Sequence, residues 1–390
     1  MVLVLSLILT MGCQKQSDQE ISKENYRDQL TPEEIQQGTA TFDMGEKLSV
    51  DATLTPQKEY EAGLNSYDSQ IVYEGKAGTE DSFKKKPTFF GSDEKQLNNC
   101  LNEWQKGTLQ KMTVDNQTMI GTGTFHTDAG KTYTLSMLWQ HNYPYYPEKS
   151  VVSPEFSIYP EGESPDIMNL IYGETGKKPA AKQETDDEKK QAAEYKAWLE
   201  KLMGRKLADR YRVMDTDPDG SGNRYTVYEY YHDVDGFPLV QSSLSYRMKE
   251  GETADEEAQS GGTGGIQLDT LYEPAQQIMT DQDGICAVSC YSFYEKGKIY
   301  KKDQTVISPD EILKKMKAYY ERMVQLDKKT IREIELVYTL YFSDGNEGKI
   351  RLVMTPVWRV VVQDEGEDAN LVFWYDAFNG ECYGENTNEQ

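Results

Sequence analysis

Histidine, cysteine and positive charge are scarce in this chain. Among 390 residues there are three histidines and five cysteines. His126, His141 and His232 lie far apart and form no HExxH pair, so no zinc-hydrolase helix is written here. No CxxC occurs, which removes thioredoxin-like redox chemistry and the common zinc ribbons. No glycine-rich phosphate loop is present. The stretch Asp219-Gly-Ser-Gly-Asn223 is not a nucleophile elbow, because Pro218 stands where the first glycine belongs. Lys and Arg total 42 against 66 Asp and Glu, a formal net charge of −24. Nucleic acids and anionic membranes select basic faces, so neither a nucleic-acid nor an anionic-membrane partner is expected from the charge. After the first dozen residues, no apolar run is long enough to cross a bilayer as a helix.

What is present is tyrosine and an unusual beginning. The 27 tyrosines suit half-buried strands and mark a folded chain. Residues 2–11, VLVLSLILTM, are apolar but too short for a membrane-spanning helix, and they read as the core of a signal peptide. No Lys or Arg precedes that core, so the true start is expected upstream of Met1. Gly12-Cys13-Gln14 follows, then a polar stretch. A small residue before Cys, after an apolar run, resembles the lipobox of bacterial lipoproteins. That resemblance implies lipid on Cys13 and a chain held on the extracytoplasmic face of the cell membrane.

Residues 14–45 are polar and patternless, as a tether would be, with a reach on the order of 30 Å. An N-terminal α+β domain is expected over 46–175. In it SDEKQLNNCLNEW reads as a helix burying Leu97, Cys100, Leu101 and Trp104. QTMIGTGTF and KTYTLSMLW read as a hairpin closed by HTDAG. Residues 176–187 read as a linker, and 188–390 as a C-terminal α+β domain. Thr185 and Glu188 have capping-box spacing before a helix that ends at Gly204. Ser308-Pro309-Asp310-Glu311 opens a second helix, with Ile312, Met316 and one of Tyr319 and Tyr320 on its buried stripe. IELVYTLYF, KIRLVM, VWRVVV and NLVFWYDAF then alternate as a meander. The fold class is α+β: antiparallel sheets, a few helices laid on them, two domains.

The stretch DTDPDGSGN places Asp215, Asp217 and Asp219 at alternate positions before Gly220, with Asn223 as a further oxygen. This is how a calcium loop starts. Position 12 is Thr226 rather than Glu, and the preceding segment alternates like a strand, so it is no EF-hand. The competing reading is a solvated hairpin turn. No other cofactor is implied, and calcium stays open. NYPYYP, with Tyr143, Tyr145 and Tyr146, and YTVYEYY, with Tyr228 and Tyr230, offer aromatic faces for sugars or for a partner's side chains. Cys286 and Cys290, four residues apart in one strand, are expected to face the same way as small core residues. A Cys100–Cys382 disulfide is also open.

The last ~180 residues resemble PepSY-like and YycH/YycI-type extracytoplasmic proteins of Gram-positive bacteria. The resemblance is carried by YEYYHDVDGFPLVQSSLSY, SPDEILKKMKAYYERM, MTPVWRVVV and LVFWYDAFNGECY. Pro356, Trp358, Arg359, Asp376, Ala377 and Gly380 occupy the shared places. The whole chain also looks like a clostridial group of uncharacterised lipoproteins. The resemblance implies a non-enzymatic protein that binds or restrains another envelope protein. Two other functions stay in view: a peptidoglycan binder using the tyrosines, and a hydrolase using paired carboxylates.

Overall fold

Local chemistry places the first elements. In the computed structural model α1 (Pro32–Gln37) opens with a capping box, Thr31 to Glu34, and ends on Gly38 in the left-handed region at φ 70°. The structure describes residues 30–71, 94–110, 113–115, 120–138, 155–162, 182–216, 224–240, 275–290, 294–322, 327–344, 350–364 and 370–386. β1 (Thr39–Asp43), β2 (Leu48–Leu54), the short α2 (Gln57–Tyr60) and β3 (Leu64–Ile71) follow. β2 buries every second residue, so its apolar face needs a sheet to lie in.

The middle of the chain supplies α3 (Glu94–Trp104), β4 (Gly107–Leu109), β5 (Thr113–Asp115), β6 (Ile120–Thr127), β7 (Thr132–Leu138) and β8 (Glu155–Pro160). α4 (Asp186–Met203) begins at the expected Thr185–Glu188 capping box and stops at Gly204, φ 64°. β9 (Leu207–Thr216), β10 (Tyr225–Val234), β11 (Phe237–Leu239), β12 (Ala275–Asp281) and β13 (Gly284–Cys290) complete this part. Its strands pair antiparallel in the order β9, β10, β12, β13, β8, β7, β6, with β4 and β5 on the far side of β6. α3 and α4 cover one face. Leu97, Leu101, Phe125, Leu135, Ile158, Leu199, Tyr228 and Tyr230 form that core.

The last part holds β14 (Tyr294–Gln304), α5 (Pro309–Arg322), β15 (Lys329–Asp344), β16 (Ile350–Asp364), β17 (Asn370–Asp376) and β18 (Cys382–Asn386). β15 to β18 form the expected antiparallel meander. α5 lies across it and buries Ile312, Leu313, Met316 and Tyr320 against Trp358, Phe373 and Tyr375.

Strand pairing does not follow the expected boundary at 176–187. β2 runs parallel beside β15, and β3 pairs antiparallel with both β14 and β16. Residues 30–71, of which 30–45 were expected in the tether, therefore complete the C-terminal sheet, and the second sheet takes its strands from 107–290, with β11 joining the two by pairing antiparallel with β10 and parallel with β15. The backbone of β2 is satisfied by the open edge of β15, a partner some 280 positions away, and its apolar face by the core beneath α5. Pro356, expected to divide two strands, instead sits inside β16. Met354 before it pairs with Tyr67 of β3, and Val357 after it pairs with Asp376 of β17. The missing N–H falls where β16 changes neighbours, which is where a strand tolerates proline.

Candidate functional site: a charged layer between two sheets

The two sheets meet back to back. Tyr231, Val240, Ala275 and Ala208 of one face Val337, Val357, Val361, Val372 and Trp374 of the other. Inside this apolar contact lies a layer of charge. Strand alternation puts Glu333 and Glu335 on one face of β15, Arg210 and Arg212 on one face of β9, and Glu229 and Tyr231 on one face of β10. Register then aligns opposite partners: Glu335 stands across from Arg359, and Glu229 across from Arg212 on one side and Gln277 on the other.

Arg359 donates Nη1 to Glu333 Oε2 at 2.8 Å and lies 3.5 Å from Glu335 Oε2. Arg210 pairs with Glu335 across the gap between the sheets. Glu229 accepts from the Tyr231 hydroxyl and, at 2.9 Å, from Gln277 Nε2. The Arg212 guanidinium lies 5.8 Å from the centre of the Tyr231 ring. Glu229, Glu335 and Arg359 are almost wholly buried.

Three arginines face three glutamates, so the layer is neutral as a whole. Burial pushes the Glu333 carboxyl up, but Arg359, Arg212 and Arg210 outweigh it and hold the group below its ordinary range. Burial, helped by Arg212 and Arg359, pushes Arg210 down to about 10, still charged at neutral pH. An acid-catalysed hydrolysis needs one carboxyl kept protonated beside another kept ionised. Here the arginines favour the ionised form of Glu333. The arrangement is suited to clamping two sheets in one register.

A second polar cluster pins the turn between β10 and β11. Asp235 (φ 54°) and Gly236 (φ 92°) form the Asp-Gly turn that a tight hairpin prefers. The Asp235 carboxylate accepts from Lys296 Nζ at 2.6 Å, from Tyr338 at 3.2 Å and from Tyr67. Burial, then the bond to Asp235, pushes the Tyr67 hydroxyl up to about 12. One turn thus fastens β3, β14 and β15.

The residues expected to carry function are scattered differently. Cys13, Tyr143, Tyr145, Tyr146, Asp217, Asp219 and Asn223 lie outside the described residues. Asp215 lies one residue before the end of β9, opposite Thr226 of β10, so the stretch joins two antiparallel strands. Its carboxylate accepts from Lys182 Nζ at 2.6 Å and from Thr226 Oγ1 at 3.1 Å. Among the described residues, no three His, Cys, Asp or Glu side chains are grouped to hold a metal. Tyr228 and Tyr230 are buried, with 1% and 0% of their surface exposed, and so present no ring to a ligand in solution. Their hydroxyls donate to Gln191 Oε1 and to the Ala192 carbonyl of α4. The expectation that β10 leaves one tyrosine face open fails because α4 covers one side and the C-terminal sheet the other.

The cysteines correct one further expectation and answer one open question. Cys286 and Cys290 join different cores. Thr280 pairs with Ile285 and Met279 with Ala287, so Cys286 is the extra residue of a β-bulge and reverses the alternation. Cys100 and Cys382 belong to separate cores and are not joined by a disulfide.

The motif residues at the C-terminus all serve the fold. Trp358 donates Nε1 to the Ile307 carbonyl at 3.1 Å and meets Tyr60 edge to face. Asp376 Oδ1 accepts from the N–H groups of Phe378 and Asn379, at 2.8 and 3.1 Å, and closes the last turn. Ala377 receives the Ile307 N–H at 2.8 Å, and Gly380 adopts φ 66°. A Cβ on Gly380 would stand 2.5 Å from Lys315 Cε.

No family model and no curated protein matches the chain. Solved structures that align with it include an uncharacterised protein from Eubacterium rectale. It is 15% identical, with a TM-score of 0.49 over 89% of this chain and 93% of that one. The C-terminal domain of YpeB from Bacillus megaterium aligns at 7% identity and a TM-score of 0.34, over 76% of this chain and 98% of that one. Neither score reaches one-half, so neither likeness carries an argument about function.

Proposed function

We propose that this is a lipid-anchored protein of the extracytoplasmic membrane face that binds and modulates another envelope protein, without catalysis of its own. Its C-terminal unit is PepSY-like: helix α5 laid across the meander β15–β18. The observation that carries the reading is the use made of the motif residues. Trp358 fills the core and fastens the start of α5, Arg359 belongs to the inter-sheet clamp, and Asp376 closes a turn. Residues spent on architecture are not free to form a catalytic set, so function is left to the surface that the fold presents. The Gly12-Cys13 junction and the polar stretch after it support the anchor. The net charge of −24 supports a partner other than nucleic acid.

The reading is tested by placing a photo-crosslinking residue at Lys190, exposed on α4, or at Glu311, exposed on α5, in the full-length chain. One discrete adduct with a membrane protein is expected from at least one position, and it should vanish in Cys13→Ala. No discrete adduct from either helix overturns the proposal.

A further inference from the structure

In a chain this acidic, one stretch runs the other way. Residues 294–322, β14 and α5, hold seven Lys and one Arg against five acids. Among the described residues the exposed large hydrophobics are Ile299 (50%) and Tyr300 (43%), neighbours on β14. Neighbours on a regular strand point to opposite faces. Here Ile299 pairs with Tyr67 and Lys301 with Ser66, so Tyr300 is the extra residue of a bulge, and both side chains come to the surface. Lys298 and Lys302 flank them and are exposed. The Lys301 ammonium lies 5.6 Å from the Phe378 ring. Lys315 of α5 borders Gly380, two residues further along, so the basic surface continues onto the helix.

Lysines and bulges on an edge strand commonly serve to stop it pairing with a second sheet. That accounts for the lysines and for the three register breaks of β14. It does not account for an isoleucine and a tyrosine at the exposed positions, where an edge guard would be polar.

We infer that β14 is a membrane-facing edge that rests on anionic lipid, with Ile299 and Tyr300 entering the headgroup layer between Lys298 and Lys302. Ammonium groups are attracted to an anionic leaflet, aliphatic side chains enter it, and tyrosine settles at headgroup depth. The total charge of −24 does not oppose this, because salt limits the interaction to charges within about 8–10 Å of the surface. A lipid on Cys13 would keep the chain within reach of the bilayer, and for that the inference rests on the proposed anchor. A protein partner would also meet these lysines. Two apolar side chains are a small nucleus for a stable interface of about 800 Å² per partner, but they suffice as a second contact beside a lipid.

The test is vesicle flotation with the chain from Gln14 onward, which keeps every described residue and lacks both leader and lipid. It should float with phosphatidylcholine vesicles that contain phosphatidylglycerol, not with phosphatidylcholine alone, and less as salt rises. Ile299→Ser with Tyr300→Ser, and separately Lys298→Glu with Lys302→Glu, should each lower the bound fraction about tenfold. Their melting temperatures should stay near the parent's, and Lys189→Glu with Lys190→Glu on α4 should change nothing. No flotation with either vesicle, or equal flotation of all variants, overturns the inference. So does capture of poly-glutamate by the same lysines without vesicle binding, which would assign an acidic protein partner. Lipid on Cys13 is read separately from the mass of the membrane-extracted chain, so the anchor and the edge can fail independently.

Discussion

Arg359 of β16 holds Glu333 of β15 at 2.8 Å and faces Glu335 across the same strand pair, under a second sheet that shuts out water. The tie to the second sheet is made by Arg210 of β9, which pairs with the same Glu335. Desolvating six charges is expensive, and the layer gains its stability from being complete.

Arg359→Met leaves the buried Glu335 with only Arg210, and Glu333 without its hydrogen-bonded partner. Urea unfolding should show a loss of about 3–5 kcal/mol. Arg359→Met with Glu335→Leu should lose less than the two single changes together, because the second removes the stranded charge. Simple additivity would show that the layer is not coupled.

The start of α4 gives a pH-dependent prediction. Glu188 is held at about 2, against an ordinary 4.5, by the Lys182 ammonium and then by the Thr185 N–H. A lowered carboxyl stabilises the fold above its unfolded value, and that stability is lost as pH falls toward the folded one. The acid limb of stability between these values should be shallower in Glu188→Gln than in the parent, measured by thermal melts. Thr185→Ala should cost about 1 kcal/mol at neutral pH.

That cap was legible in the sequence because capping is local: Thr185, Glu188 and Gly204 are read within one helix. The start of α5 and the β6–β7 hairpin were legible for the same reason. β12 was not, since AQQIMTD puts Gln276 and Gln277 where a buried strand would carry apolar residues; both are buried all the same. The charged layer was hidden in plain alternation. Glu335 and Arg359 look like solvent-facing positions until the second sheet covers them. The pairing of β2 with β15 has no local signature, so the boundary at 176–187 seemed to divide what the sheet joins. A single bulge at Cys286 reversed the facing of one strand, and a count of two cannot foresee an inserted residue.

Gly297 allows β14 and β3 to approach. A Cβ there would lie 2.4 Å from the Asp68 carbonyl oxygen, and a backbone atom cannot swing aside. Gly297→Ala should lower stability by about 1–3 kcal/mol, read as a fall in melting temperature. An unchanged melt would show that β14 is not held against β3 as described.

Calcium should leave the protein's melt unmoved. Asp215 already accepts from Lys182, and a cation would have to displace an ammonium at 2.6 Å. A rise of several degrees with calcium and not magnesium, abolished by Asp217→Asn with Asp219→Asn, would contradict this and make the DTDPDGSGN stretch a cation site.

The central claim is that the chain works from the membrane through lipid on Cys13, and mass spectrometry of the protein extracted from its own cells tests it most directly. The account predicts a chain that begins at Cys13, carries the mass of a lipid modification, and leaves the membrane fraction when Cys13 is changed to Ala. A wild-type chain found soluble, with an unmodified Cys13, would contradict it.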